Sequence, residues 1–107
     1  MDSFDDRKRA AEGKFAHDAN LKFRAEARRN KLVGLWAASK LGLKVDQANA
    51  YAKEVVAADF VEAGDADVVR KIAADFAAKG VKITDTEIRK ELDNQLVVAV
   101  EQIAKEG

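Results

Sequence analysis

The chain has no cysteine and no proline, only one histidine, and six glycines that stand singly. Each scarcity removes a class of protein. Without cysteine there is no disulfide framework, no thiolate metal site and no cysteine nucleophile. Without proline, nothing in the sequence forces a helix to break. Scattered glycines exclude a glycine-rich phosphate loop. His17 followed by Asp18 matches the dipeptide of metal-dependent phosphohydrolases, but such a site needs further histidines. It reads as a helix-surface or hinge residue. Ser3 and Ser39 would have to borrow that same histidine as a base, so no Ser–His pair assembles. No apolar run approaches the roughly eighteen residues that span a bilayer. The opening MDSFDDRKR carries no apolar signal core, so the expected location is the cytoplasm.

What is present describes one helical domain. The 107 residues are 48% hydrophobic and 36% charged, the balance of a globular chain rather than a disordered one. A chain of this length buries about two-thirds of its unfolded surface. Formal net charge is zero, but it is unevenly spread. Residues 7–31 hold nine basic and three acidic side chains, a net +6, while residues 1–6 carry −3 and residues 32–107 another −3. Such polarity can steer a partner, although a solvated helix face produces it too.

Residues 14–42, KFAHDANLKFRAEARRNKLVGLWAASKLG, organise the rest. Phe15, Ala19, Phe23 and Ala27 recur every fourth residue and form a narrow apolar stripe. Between them stand Lys22, Arg24, Arg28, Arg29 and Lys31. From Leu32 the helix becomes apolar on all sides, which predicts a buried strut with Trp36 in the core. Lys40 faces the helix end, Gly42 takes the left-handed cap and Leu43 closes the apolar contact.

Asp46 is a candidate cap for a second helix, with Ala48, Tyr51, Ala52, Val55, Val56 and Phe60 facing inward and Gly64 ending it. Asp65 caps a third helix whose inner face is Val68, Val69, Ile72, Ala73 and Phe76, and Lys79-Gly80 closes it. Val81-Lys82-Ile83 alternates like a strand but is too short to pair, so it reads as a connector. Thr84 and Glu87 form a capping box opening the fourth helix, followed by Ile88, Leu92, Leu96, Ala99 and Ile103. The expected fold is all-α: a compact four-helix bundle with helices about 19–41, 46–63, 65–79 and 85–105, and a mobile arm at 1–18.

That arm carries helix signals but little to bury. Ser3 to Asp6 is a helix-start pattern, and Asp5–Arg9, Lys8–Glu12 and Asp18–Lys22 are opposite charges four residues apart. Phe4 is the only large apolar residue between positions 3 and 14, so the helix is marginal without a partner. A helix from 3 to 41 would also extend roughly 58 Å, beyond what helices of about 24–30 Å can cover.

Catalytic constellations are absent. Asp65 with Asp67, and Glu91 with Asp93, sit where capping and solubility explain them. Gly34, inside a helix beside Trp36, reads as a close approach of another helix. The basic run from Lys22 to Lys31 could contact phosphate, but without a recognition-helix fold or exposed aromatics no nucleic-acid partner is expected. No metal and no cofactor is expected. The arm itself suits binding coupled to folding in a partner's groove.

FDDR at 4–7, KFAHD at 14–18, FRAEARRNKLVGLWAA at 23–38, AYAKEVVAADFVEAGDADVVRK at 50–71 and IRKELD at 88–93 together resemble the zeta subunit of alphaproteobacterial ATP synthase. The resemblance spans essentially the whole chain. It implies a non-enzymatic inhibitor of ATP hydrolysis whose N-terminal segment inserts as a helix between catalytic subunits of the synthase head. There it reaches the rotor stalk and blocks rotation. It carries Phe4, Asp5, Asp6, Arg7, Arg9, Glu12, Lys14 and Phe15 over as contact residues. It also implies association with the cytoplasmic face of the membrane through the synthase, without membrane insertion, and a monomer when free. The residues leave an alternative open: a small helical sensor of nucleotide or another ligand, using Arg28, Arg29 and Trp36.

Overall fold

In the computed structural model, residues 19–59 and 65–106 are described. They form four helices joined by short connections: α1 (Ala19–Lys40), α2 (Val45–Ala58), α3 (Ala66–Ala78) and α4 (Asp85–Glu106). No strand occurs among the described residues. α1 is the element on which α2 and α4 chiefly pack, and α3 closes against α2 and α4. The all-α four-helix architecture is therefore the observed one.

The helix ends explain why the connections can be so short. At the end of α1 the Leu43 amide donates to the Ala38 carbonyl at 3.0 Å and the Gly42 amide to Ser39 at 3.1 Å. α3 ends the same way, with Val81 donating to Phe76 at 2.8 Å and Gly80 to Ala77 at 3.2 Å. Both pairs satisfy carbonyls that a helix terminus leaves open, and both need a left-handed residue. Gly42 and Gly80 supply it, at φ 75° and 72°. The start of α4 is the reciprocal box predicted: the Glu87 amide donates to Thr84 Oγ1 at 3.2 Å and the Thr84 amide to Glu87 Oε1 at 3.3 Å.

α2 departs from expectation at its start. Lys44, in an extended conformation, is the capping residue, and its amide donates to Gln47 Oε1 at 3.2 Å. Asp46 lies inside the first turn, where a carboxylate still favours the helix dipole without being the cap. Asp65 does precede α3, but its carboxylate accepts from Arg89 Nη1 at 2.9 Å rather than from the helix amides. Phe60 and Gly64 lie outside the described residues.

Two apolar clusters fill the interior. The larger takes Val33, Ala37 and Ala38 from α1, Tyr51 and Val55 from α2, Val68, Val69, Ile72 and Phe76 from α3, and Ile88 and Leu92 from α4. The smaller takes Ala25 from α1 and Leu96, Val97, Val100 and Ile103 from α4, with Leu21 against it. Gly34 makes the α1–α2 crossing possible. A Cβ at that position would lie 2.8 Å from the Ala52 Cα, a backbone atom that cannot yield cheaply.

The uniformly buried strut does not appear. Leu32, Leu35 and Trp36 are only partly covered. Trp36 meets Phe76 edge to face, ring centroids 5.8 Å apart, so one side of the indole packs on the core while the rest stays in water. The helix has more apolar circumference than its neighbours can cover.

Candidate functional site

α1 carries two apolar stripes, and only one of them faces the core. Leu21 and Ala25 turn inward, whereas Phe23, two residues from each, is 59% exposed. A helix advances 100° per residue, so side chains two apart point in opposed directions. Phe23, Ala27 and Lys31 then recur at four-residue spacing along an outer face. With Arg24, Arg28, Val56 of α2 and Ile103 of α4 they line a groove of about 370 Å³. Lys31 and Val56 also border a second hollow of about 610 Å³, completed by Asn49, Ala52, Lys53 and Ala57. The two hollows adjoin at Lys31 and Val56 and together make a trough edged by Arg24, Arg28, Lys31 and Lys53.

The rim charges are not equivalent. Arg28 grips Glu106 through both terminal nitrogens, at 2.7 and 3.0 Å, and also donates to Gln102 Oε1 at 3.0 Å. Arg24 approaches the same carboxylate at 3.8 Å. Hydrogen bonding to Arg28 holds the Glu106 carboxyl below its ordinary value, and the same bond holds the Arg28 guanidinium above its own. Arg28 is thus largely spent on closing α1 against the end of α4. Lys31 and Lys53 are both exposed and make no ion pair with a described residue, so their charge is available to a ligand.

A second polar cluster ties α2 to α3. The Tyr51 hydroxyl donates to Asp75 Oδ2 at 2.7 Å, and Lys71 Nζ reaches Asp75 at 3.1 Å and Glu54 at 3.2 Å while lying 5.0 Å over the Tyr51 ring. Burial, then the bond to the Asp75 carboxylate, pushes the Tyr51 hydroxyl well above its ordinary value. Burial pulls Lys71 down, but its hydrogen bonds to the two carboxylates outweigh that and hold it up. All four groups satisfy one another, which is the behaviour of a structural clamp.

The sequence candidates separate accordingly. Phe4, Asp5, Asp6, Arg7, Arg9, Glu12, Lys14 and Phe15 lie outside the described residues, as do Ser3, His17 and Asp18. Asp67 pairs with Arg70, and Glu91 accepts from Asn94 and Gln95, so these carboxylates stabilise helices. Arg28, Arg29 and Trp36 do not converge. Arg28 borders the outer groove, Trp36 packs on Phe76, and Arg29 donates through Nε to Asn30 at 3.1 Å. Asn30, 1% exposed, is a buried polar residue that no sequence pattern flagged. The α2 half of the trough was equally unmarked, because Val56 reads as an inner-face residue and Lys53 as an ordinary surface lysine.

Among the described residues no three metal-ligating side chains gather, and no helix is long and apolar enough to cross a membrane. The described residues thus form a small helical domain with two adjoining hollows edged by basic side chains. Comparison with protein families gives its class: the model described as ATPase inhibitor subunit zeta matches residues 1–102, and the chain belongs to that family. A solution NMR structure that it resembles is 48% identical, with a TM-score of 0.73, and the likeness covers 81% of this chain and 99% of the other. A comparison with curated proteins finds no match.

Proposed function

We propose that the protein inhibits ATP hydrolysis by the ATP synthase. In this reading, residues 1–18 enter an interface between catalytic subunits of the head as a helix, reach toward the rotor stalk and stop rotation in the hydrolytic direction. The observation that carries the proposal is the extent of the family match, which begins at residue 1 and so takes in the segment ahead of the helical domain. The described helical domain has two apolar clusters of its own, which suits it to act as an anchor. Residues 19–106 would then be the anchor, and Phe4, Asp5, Asp6, Arg7, Arg9, Glu12, Lys14 and Phe15 the contact surface. The protein would sit at the cytoplasmic face of the membrane through the synthase alone, as a monomer when unbound.

The test is a truncation beginning at Asp18, assayed against the ATPase of the same organism. It should keep its helical circular dichroism and melting midpoint while losing inhibition. Full inhibition by the truncated protein would overturn the proposal. Gly13 probes the helical binding mode: proline there costs a helix about 3 kcal/mol, while alanine stabilises it by up to about 1 kcal/mol. Gly13→Pro should therefore nearly abolish inhibition, and Gly13→Ala should improve it up to about fivefold. Equal potency of the three forms would exclude insertion as a helix through position 13.

A further inference from the structure

The trough between α1 and α2 has a basic edge, and the chain holds an acidic segment with one large apolar residue that complements it. We propose that residues 2–6, Asp-Ser-Phe-Asp-Asp, dock into this trough in the unbound protein. Phe4 then lies over the apolar floor of Ala27, Val56 and Ile103, and the carboxylates face Lys31 and Lys53. That storage limits access to a partner rests on the inhibitory reading above; the docking itself does not.

Three observations point to this occupant. The first is charge. Residues 1–6 contain Asp2, Asp5 and Asp6 and no base, whereas the rim offers Arg24, Arg28, Lys31 and Lys53. Arg28 is already bound to Glu106, whereas Lys31 and Lys53 have no such partner among the described residues. The second is apolar match. Phe4 is the only large apolar residue from position 2 to 14, and the floor it would meet is formed by side chains from three helices.

The third is reach. The described chain begins at Ala19, one helical turn before Phe23 at the mouth of the groove. Twelve residues lie between Asp6 and Ala19, and Lys31 stands twelve positions beyond Ala19. The helix covers the second distance in roughly 18 Å. Twelve extended residues span up to about 40 Å, so the link returns the segment with slack to spare. Tethering makes this docking intramolecular, and the high effective concentration populates it even if each contact is weak.

Because the chain has no cysteine, Ser3→Cys gives a single attachment point for a nitroxide. The measurement is paramagnetic broadening of amide signals in the 15N-labelled full chain. Docking predicts broadening at Asn49, Lys53 and Val56 of α2, sites far from the label in sequence, while Val45 and Thr84 stay sharp. In 1 M NaCl, where the screening length falls to about 3 Å, the effect should fade. Lys31→Glu with Lys53→Glu should remove it, and adding Asp5→Lys with Asp6→Lys should restore it. Both lysines are exposed, so the swap leaves the fold intact.

Broadening no greater than in an Asp5→Asn, Asp6→Asn control would overturn the docking, as would broadening centred on another face. Mixing nitroxide-labelled 14N protein with unlabelled 15N protein tests for a second copy in the trough; broadening there would overturn the intramolecular occupant. None of these readouts involves an ATPase, so failure here is separate from failure of the inhibition assay.

Discussion

The two ends of the helical domain are built differently. At one end the interior draws on all four helices and includes Phe76, Ile72 and Tyr51. At the other, the described core consists of α1 and α4 alone, with Ala25 facing Leu96, Val97, Val100 and Ile103. The thick end is sealed by apolar surface and the Tyr51–Asp75–Lys71 clamp. The thin end is sealed by Arg28 and Glu106 and is flanked by the trough. This thin end leads toward residues 1–18. Among the described residues, the broader apolar cluster thus lies away from the segment assigned to binding, and the basic hollows lie nearer to it. Local stability should grade along the bundle in the same sense.

Large-to-small substitutions at the two ends test that gradient most strongly. Phe76 is fully buried within the thick cluster and carries the Trp36 contact, so Phe76→Ala should cost about 3–5 kcal/mol in urea unfolding. Leu96 is 8% exposed in the thin cluster, where collapse around the gap is easier, and Leu96→Ala should cost about 2–3 kcal/mol. Trp36→Ala should also fall below Phe76→Ala, since the indole is only partly covered. Equal losses for Phe76→Ala and Leu96→Ala would show that the two clusters form one cooperative core of uniform density.

Gly34 sharpens the comparison from the backbone. Alanine is ordinarily the better helix residue by about 1 kcal/mol. Here the added Cβ would meet Ala52 Cα at 2.8 Å and the Val55 Cβ at 3.3 Å. The close crossing should win, leaving Gly34→Ala less stable by about 1–3 kcal/mol, in line with overpacking elsewhere. A stabilised variant would mean that α1 and α2 separate at little cost. The clamp is worth less. Tyr51→Phe removes one hydrogen bond to a carboxylate that still holds Lys71, for a loss of about 1–2 kcal/mol.

What could be read from the residues follows the same division. Helix ends were legible because capping is local: Thr84 with Glu87, Gly42 and Gly80 each act within a few residues of themselves. The inner faces of α3 and α4 were legible because their apolar residues keep one period. α1 misleads because it has two stripes. Size favours Phe23 as the inner residue, yet α4 comes close to α1 where the small Ala25 stands, and Phe23 is left outside. Trp36 misleads for a related reason, as an apolar helix segment is buried only where neighbours reach it. Asn30 lies between Ala25 and Val33, where α1 passes from one cluster to the other, and hydropathy has no signal for that boundary. The trough joins residues of α1, α2 and α4, and no local pattern encodes such a meeting. The expected contact residues between Phe4 and Phe15 fall outside the described residues.

The smallest expected effect concerns the ion pair at the thin end. Glu106 is bound by Arg28 in a forked geometry, with Arg24 at 3.8 Å. Its folded-state pKa lies below the unfolded value of 4.5. A carboxyl with a depressed folded value contributes stability that is present above the unfolded value and disappears as pH falls through the folded one. The melting midpoints of the native protein and Glu106→Gln should therefore differ slightly at neutral pH and converge as the solution is acidified below about 4.5. The difference should also shrink in 1 M NaCl, because exposed pairs are screened. Hydrogen exchange should localise the loss to the last turns of α4 and the facing part of α1, leaving the Val33–Ala38 amides unchanged. A difference independent of pH would mean that Glu106 acts through packing or polarity, and that charge does not seal the thin end.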